Sequence, residues 1–441
     1  MGQQEGGTGG PVARWLARLA VLAALGVLVV LVVAWGEAGL VIVGIGLLGV
    51  VVCAVGAWWF LAHRGAVRLL GAVVAIAAPA AVLVLFTHEG LWLTALVLGL
   101  CWVATVACAR AALRGSRDRP PRRTSVAPRP ERPVLIMNPR SGDGKVGRFG
   151  LVERAEERGA RVLLLDPAAP ADVTALARAA VTEGADLLGA AGGDGTLALV
   201  AAVAAEHGLP FLVVPAGTRN HFALDLGLDR EDPAWCLEAL TDGEEFRVDL
   251  GEVAGRPFVN TVSFGVYADV VQRPEYRGAK AGTALNLMPD LLLGEGVRRV
   301  DARADDTVLT SLQALLVSNN PYASPDAFGG AGRRPRLDSG LLGVFGLRVE
   351  GAAQAADLAV RGSRSAGLTV LTARVVEVTS AAGEIPVAVD GEALRMATPL
   401  VCALRPGALR VRVPRGTVPG PVPAPPLDWR RLLRLAFGRS R

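Results

Sequence analysis

The sequence predicts a chain of two unlike parts: four N-terminal transmembrane α-helices, then a doubly wound α/β domain that passes into a β-rich one. Three observations predict this. Residues 15–109 carry five formal charges, Arg18, Glu37, Arg64, Arg68 and Glu89, each at the end of an apolar run. From residue 133 to 214 short apolar runs alternate with amphipathic ones, the signature of strands and helices in a parallel sheet. Beyond Glu245 the chain turns to alternating and β-branched runs, which read as hairpin strands.

The apolar segments near 16–35, 39–61, 69–87 and 91–109 are each long enough to cross a hydrocarbon core of about 30 Å as a helix. Backbone in lipid must pair within its own segment, so runs of this length become helices. A cleaved signal peptide is the rival for the first, but that run is too long and three more follow it. Arg14, Arg18, Arg64, Arg68 and Arg110 lie on one side, Glu37 and Glu89 on the other. The positive-inside rule then places both termini, and everything after residue 110, on the cytoplasmic face of a plasma membrane. No span has a central ionisable residue, so residues 1–110 read as an anchor and not as an ion path. Residues 111–132 form an Arg/Pro-rich linker suited to anionic lipid headgroups.

Composition excludes other classes. At 51% hydrophobic the 441-residue chain cannot be disordered. Five cysteines without a CxxC pair, and four histidines, argue against a disulfide scaffold or a zinc cluster. The net charge of +5 rests on 46 basic residues, of which only Lys145 and Lys280 are lysines. That Arg bias is not read as nucleic-acid binding, and no nucleic-acid partner is expected.

In the second part, strands are predicted at 134–137, 161–165, 186–190 and 211–214, with helices at 151–159, 171–184 and 197–207. Ligands of such sheets bind at the carboxyl ends of the strands, and here those ends open into glycine loops. In the first loop, Gly142, Gly144 and Gly147 spell GxGxxG, and Asp166 ends the next strand, so a dinucleotide fingerprint is formally present. The glycines begin four residues after the strand, however, and Lys145 lacks the Walker spacing. What remains is a backbone-amide cradle for phosphate, with Lys145 beside it. The second loop, Gly192-Gly193-Asp194-Gly195-Thr196, lets a ligand approach the backbone closely, and its one carboxylate can hold Mg²⁺ or take a proton. A plain tight turn capped by Thr196 would need neither the paired glycines nor the Asp. The third loop runs from Pro215 through Gly217, Thr218, Asn220 and His221 to Ala223.

These loops (NPRSGDGK, GGDGT and PAGTRNHFALDLG) resemble, in order and spacing, the catalytic domain shared by diacylglycerol kinases, sphingosine kinases and bacterial lipid kinases. Further matches are Val248-Asp249-Leu250-Gly251, Asn260 to Gly265, Asn319-Asn320-Pro321-Tyr322, Leu337 to Leu342, and Val389-Asp390-Gly391-Glu392, so the resemblance covers about residues 133–414. It implies a kinase core of an α/β nucleotide-binding domain (133–249) and a β-sandwich-like lipid-binding domain (250–414), using ATP and Mg²⁺. By the same resemblance Asn138, Ser141, Gly142, Lys145, Gly217, Thr218 and Asn220 would face the nucleotide phosphates. Gly192, Gly193, Asp194, Gly195 and Thr196 would bind nucleotide, with Asp194 and Asp338 as metal residues. A lipid hydroxyl must lose a proton as it attacks the γ-phosphate. Asp390 and Glu392 are the first candidates for that base and its support, with Asp194 the alternative.

The sequence departs from the family in three places. GGDGT continues Leu197-Ala198-Leu199 where many relatives have Leu-Asn-Glu, His221 replaces an acid, and Asp338-Ser339 stands where some members carry two Asp. These leave the nucleotide cradle intact and put the secondary metal site and the rate in question. His221 reads as a satisfied loop histidine before a proton shuttle. Residues 415–441 are a Pro-rich spacer and a tail in which Trp429, Leu432, Leu433, Leu435 and Phe437 are set against five Arg, a basic amphipathic helix for the membrane surface or for docking back on the core. The function so implied is a membrane-anchored lipid kinase, with a membrane lipid and the bilayer as partners and a homodimer left open. The alternatives are an NAD-kinase-like enzyme of a soluble substrate and a catalytically weak nucleotide or lipid sensor.

Overall fold

The computed structural model describes residues 11–33, 39–63, 65–88, 92–115, 124–166, 172–266, 268, 299–323, 333–349, 354, 365–417 and 429–437. Residues 36–38 and 89–90, the middle of the linker and most of the Pro-rich spacer lie outside them. The chain divides into two compact units, one holding the N-terminal helices and the C-terminal tail, the other residues 122–283 and 294–422.

In the first unit α1 (Pro11–Val33), α2 (Gly39–Ala62), α3 (Ala66–His88) and α4 (Trp92–Gly115) follow the four apolar segments. Three stretches, Val12–Val30, Ala66–Leu85 and Leu96–Leu113, are long and apolar enough to cross a membrane; in α2 the apolar stretch Gly44–Phe60 is shorter. Glycine sets how closely α2 and α3 pack. A Cβ on Gly56 would lie 2.5 Å from Ala75 N, and one on Gly71 would lie 2.5 Å from Phe60 N. Small residues let two backbones meet where no hydrophobic effect drives association, and the contact adds dispersion instead.

The second unit begins at β1 (Ser125–Ala127), inside the stretch read as linker, which pairs antiparallel with β6 (Gly243–Val253). The α/β half has β2 (Pro133–Met137), β3 (Arg161–Leu164), β4 (Leu187–Gly192) and β5 (Pro210–Pro215), parallel, in the order β3-β2-β4-β5. Every residue of β2 and β4 is buried, as expected of strands covered on both faces. Between them run α5 (Lys145–Arg148), α6 (Leu151–Glu157), α7 (Val173–Thr182), α8 (Asp194–Glu206) and, after β5, α9 (His221–Leu226).

The β-rich half adds β7 (Arg256–Phe258), β8 (Thr261–Gly265), β9 (Val300–Ala304), β10 (Thr307–Leu312), β11 (Ala314–Ser318), β12 (Leu342–Leu347), β13 (Leu368–Ala373), β14 (Val375–Thr379), β15 (Glu384–Val389), β16 (Glu392–Ala397) and β17 (Leu400–Pro414). A six-stranded antiparallel sheet, β13-β12-β11-β8-β15-β16, shares one apolar core with β9, β10, β14 and the start of β17. The two halves are not separate sheets. β17 pairs antiparallel with β14 through residues 400–403 and parallel with β5 through residues 410–412. The boundary expected at Asp249 falls inside β6, which runs beside β17 for nearly all of that strand's length. The chain closes with α10 (Trp429–Phe437), which belongs to the first unit.

Candidate active site

The three glycine loops are packed backbone to backbone. The first leaves β2 with Asn138 N donating to Ala191 O at 2.8 Å, and Asn138 Oδ1 accepts Arg140 N at 3.0 Å. Gly142 has φ +55°, and a Cβ there would lie 2.3 Å from Ala216 O in the third loop. A Cβ on Gly217 would lie 2.6 Å from Gly193 Cα in the second loop. Only glycine fits at these two contacts. Gly192 O then accepts from Gly217 N at 2.9 Å and from Asn220 Nδ2 at 2.7 Å, tying the second loop to the third.

Asp194 opens α8 and is buried. Its Oδ2 accepts His221 N at 3.0 Å; its Oδ1 is buried and receives no hydrogen bond. Asn220, held at φ +42° and 1% exposed, is bare in the same way at Oδ1. Among nucleotide-binding expectations, Thr218 is exposed in the third loop, and Ser141, Gly195 and Thr196 are partly exposed. Lys145 differs from expectation: the residue is largely buried and its ammonium donates to Arg230 O at 2.6 Å, so one of its three donors is already committed to backbone.

The β-rich half brings two more carboxylates to these loops. Asp390 and Gly391, at φ +48° and +85°, form the two-residue turn of the β15–β16 hairpin, where positive φ is required at both positions. The Asp390 carboxylate accepts Val259 N at 2.8 Å and Asn260 N and Thr261 N at 2.9 Å each. Glu392 lies directly on the second loop, since a Cβ on Gly195 would fall 2.1 Å from Glu392 Oε1. Its Oε2 accepts Arg256 Nη2 at 2.5 Å.

Burial raises both aspartates. Asp194 is pushed up to about 6 by loss of solvent, opposed by the His221 amide and the charge of Arg334. Asp390 is pushed up to about 7 by burial and then by the charge of Asp194, against its three amide donors. Burial and Arg334 lower His221, so its imidazole is neutral near pH 7. Tyr322 is pushed up to about 12 by burial and stays a hydroxyl, 3.4 Å from Asn260 Oδ1.

Arg334 was not among the residues singled out from sequence, yet it joins these parts. Fully buried, it pairs with Asp225 of α9 (Nε to Oδ2, 2.7 Å) and donates from Nη1 to Val259 O at 2.8 Å and Asn319 O at 2.6 Å. Val259 is therefore held by Arg334 through its carbonyl and by Asp390 through its amide. Arg334 Nη2 has no partner. Asp225 lies inside the matched third loop, where no role was assigned to it, and Arg334 sits in an unpatterned Arg-rich run. Asp338, expected as a metal residue, is exposed and ion-paired to Arg336 at 2.9 Å. Among the described residues no three His, Cys, Asp or Glu side chains converge. The bare oxygens of Asp194 and Asn220 are the donors that fit a hard cation such as Mg²⁺.

A family model described as diacylglycerol kinase catalytic domain matches residues 132–253. The chain is 32% identical over 122 residues to a diacylglycerol kinase of Mycobacterium tuberculosis, a match covering 27% of this chain and 40% of that one. It is 33% identical over 257 residues to the Pseudomonas aeruginosa protein named Probable lipid kinase YegS-like, 56% of this chain and 82% of the other. In fold it resembles a crystal structure of a candidate diacylglycerol kinase from Bacillus anthracis, with a TM-score of 0.52 and 20% identity over 66% of this chain and all of that one.

Proposed function

Because the chain belongs to the diacylglycerol kinase-like lipid kinase family, we propose that it transfers the γ-phosphate of ATP to the hydroxyl of a membrane lipid, with diacylglycerol the favoured acceptor. The observation that carries the reading is Asp194 Oδ1, a buried carboxylate oxygen without a donor at the meeting point of three glycine loops. Phosphoryl transfer needs positioning and charge neutralisation more than covalent chemistry, and these loops bring backbone close to that oxygen.

In this reading Asp194 takes the hydroxyl proton through Oδ1 while the His221 amide fixes Oδ2. With its carboxyl raised to about 6 it is ionised at neutral pH yet close enough to accept a proton usefully. Asp390 has its oxygens engaged by three amides, so it positions residues 259–261. Glu392, seated on Gly195 and paired with Arg256, holds the hairpin turn against the second loop. That order reverses the ranking from sequence, where Asp390 and Glu392 stood ahead. Mg²⁺, held by Asn220 Oδ1, would neutralise phosphate charge when bound. A second reading gives Asp194 Oδ1 to the metal; Asp194→Asn would then raise the Mg²⁺ needed for half-maximal rate instead of flattening the pH dependence.

All four helices α1–α4 are read as spans, with the kinase unit and both termini on the cytoplasmic side where Arg14, Arg18, Arg64, Arg68 and Arg110 gather. The test is transfer of ³²P from γ-labelled ATP by the full-length protein in bilayer discs, with diacylglycerol, a sphingoid base, a prenol and NAD offered in parallel. Label in phosphatidic acid is expected. Label on NAD alone, or ATP binding without transfer to any lipid, overturns the proposal.

A further inference from the structure

The tail helix α10 has two apolar faces, and only one is covered. Leu432 and Ala436, each 1% exposed, pack with Ala17 and Ala20 of α1 and with Ala109 and Leu113 of α4. Arg18 Nε donates to Ala436 O at 3.0 Å, satisfying a carbonyl that the end of the helix leaves open. Trp429, Leu433 and Phe437, at the spacing i, i+4, i+8, form a second stripe that is 43%, 46% and 68% exposed. A soluble helix of nine residues has little reason to present three large apolar side chains on one line to water.

Where α10 docks identifies what covers that stripe. Ala17 and Ala20 lie near the start of α1, and Ala109 and Leu113 near the end of α4, so α10 sits at the level where those two helices begin and end. Arg14, Arg18 and Arg110 stand at the same ends, and residues 429–441 contribute five Arg and no acid. Indole at that depth and guanidinium toward anionic headgroups is the pattern of an interfacial helix. We propose that α10 lies in the headgroup region of the bilayer, its Leu432–Ala436 face on α1 and α4 and its Trp429–Leu433–Phe437 stripe inserted among the acyl chains. The inference rests on α1 and α4 being spans. It makes α10 a clasp: the catalytic unit leaves the bundle at α4 and its chain returns to the bundle at α10, so both ends are held at one membrane face.

The test is photocrosslinking of the full-length protein in bilayer discs of phosphatidylglycerol and phosphatidylcholine. The photoreactive residue p-benzoylphenylalanine replaces Phe437 in one variant, Leu433 in a second, and Leu22, a 62% exposed residue of α1, in a third. Lipid adducts at 22, 433 and 437 are expected. Adducts at 433 and 437 to peptides of the kinase unit or of a second copy overturn the proposal, as does a lack of any adduct there while position 22 labels lipid. Failure at position 22 as well would instead sink the span reading beneath it.

Discussion

Asp194 opens α8 and Asp390 sits in a hairpin turn; loss of solvent raises both carboxyls, yet their oxygens are engaged differently. The amides of His221 and Phe222 both act on Asp194, with His221 N on Oδ2, yet its Oδ1 takes no hydrogen bond. Asp390 accepts three amides across both oxygens. A carboxylate whose lone pairs are filled by backbone N–H groups holds structure; one with a bare oxygen is available for chemistry. Sequence cannot make that distinction, because both residues stand in Asp-Gly pairs.

The comparison is broken most directly at Asp194. Asp194→Asn should lower kcat by about 10³-fold while ATP binding and cooperative folding persist; a loss below tenfold in the labelled-transfer assay would move the base elsewhere. The wild-type rate should climb as pH rises through about 6, since Asp194 works ionised. Stability should run the other way. Both carboxyls hold protons more tightly when folded than at their ordinary value of 3.8, so their contribution is full below about pH 4 and lost as pH passes about 6 and about 7. Thermal melts from pH 4 to 8 read that slope, and Asp194→Asn should shrink it by removing one group and by easing the charge that raises the other.

Arg334→Met comes next, because it strands Asp225 in the interior without its cation. The cost should be about 3–5 kcal/mol, with Arg334→Lys intermediate. The pH midpoint of the surviving activity should move upward, since the charge of Arg334 lowers Asp194. Asp390→Asn sets an amide NH₂ against a backbone N–H donor, for about 1–3 kcal/mol, and displaces residues 259–261 enough to slow transfer by up to about 10²-fold. Glu392→Gln should do least. Its partner Arg256 is partly exposed, and such pairs are worth under about 1 kcal/mol, so melting should barely change. A loss as large as that of Asp194→Asn would restore Glu392 as the base.

How much was legible follows from the kind of signal involved. The strands β2 to β5 were readable because each is a short apolar run between turn residues, and three of the four end in a glycine loop. The glycines of the loops were readable as places of close backbone approach, but the approach of Gly142 to Ala216 and of Gly217 to Gly193, loop against loop, was not. The clamp on Val259 was not, since Arg334 and Asp225 are 109 residues apart and one Arg among 44 has no pattern to mark it. The commitment of Lys145 to Arg230 O and of Asp338 to Arg336 was equally invisible, because a motif names a residue type and not the neighbour that engages it. β1 hid within an Arg- and Pro-dense stretch, where pairing with β6 overrides local preference.

The long strand β17 has a consequence for how the protein is made. The parallel strand β5 is synthesised early, and its free edge is an unpaired row of N–H and C=O groups until residues 410–412 reach it. Every glycine loop and Asp194 will have left the ribosome well before then, yet the sheet beneath them is complete only when the last strand of the β-rich half arrives. Domains that fold in order of synthesis can become competent one at a time; this one cannot, because its two halves share a strand that is translated last. A chain cut short before residue 410 keeps every loop residue of the nucleotide cradle and leaves the floor beneath it open to the nearest sticky strand.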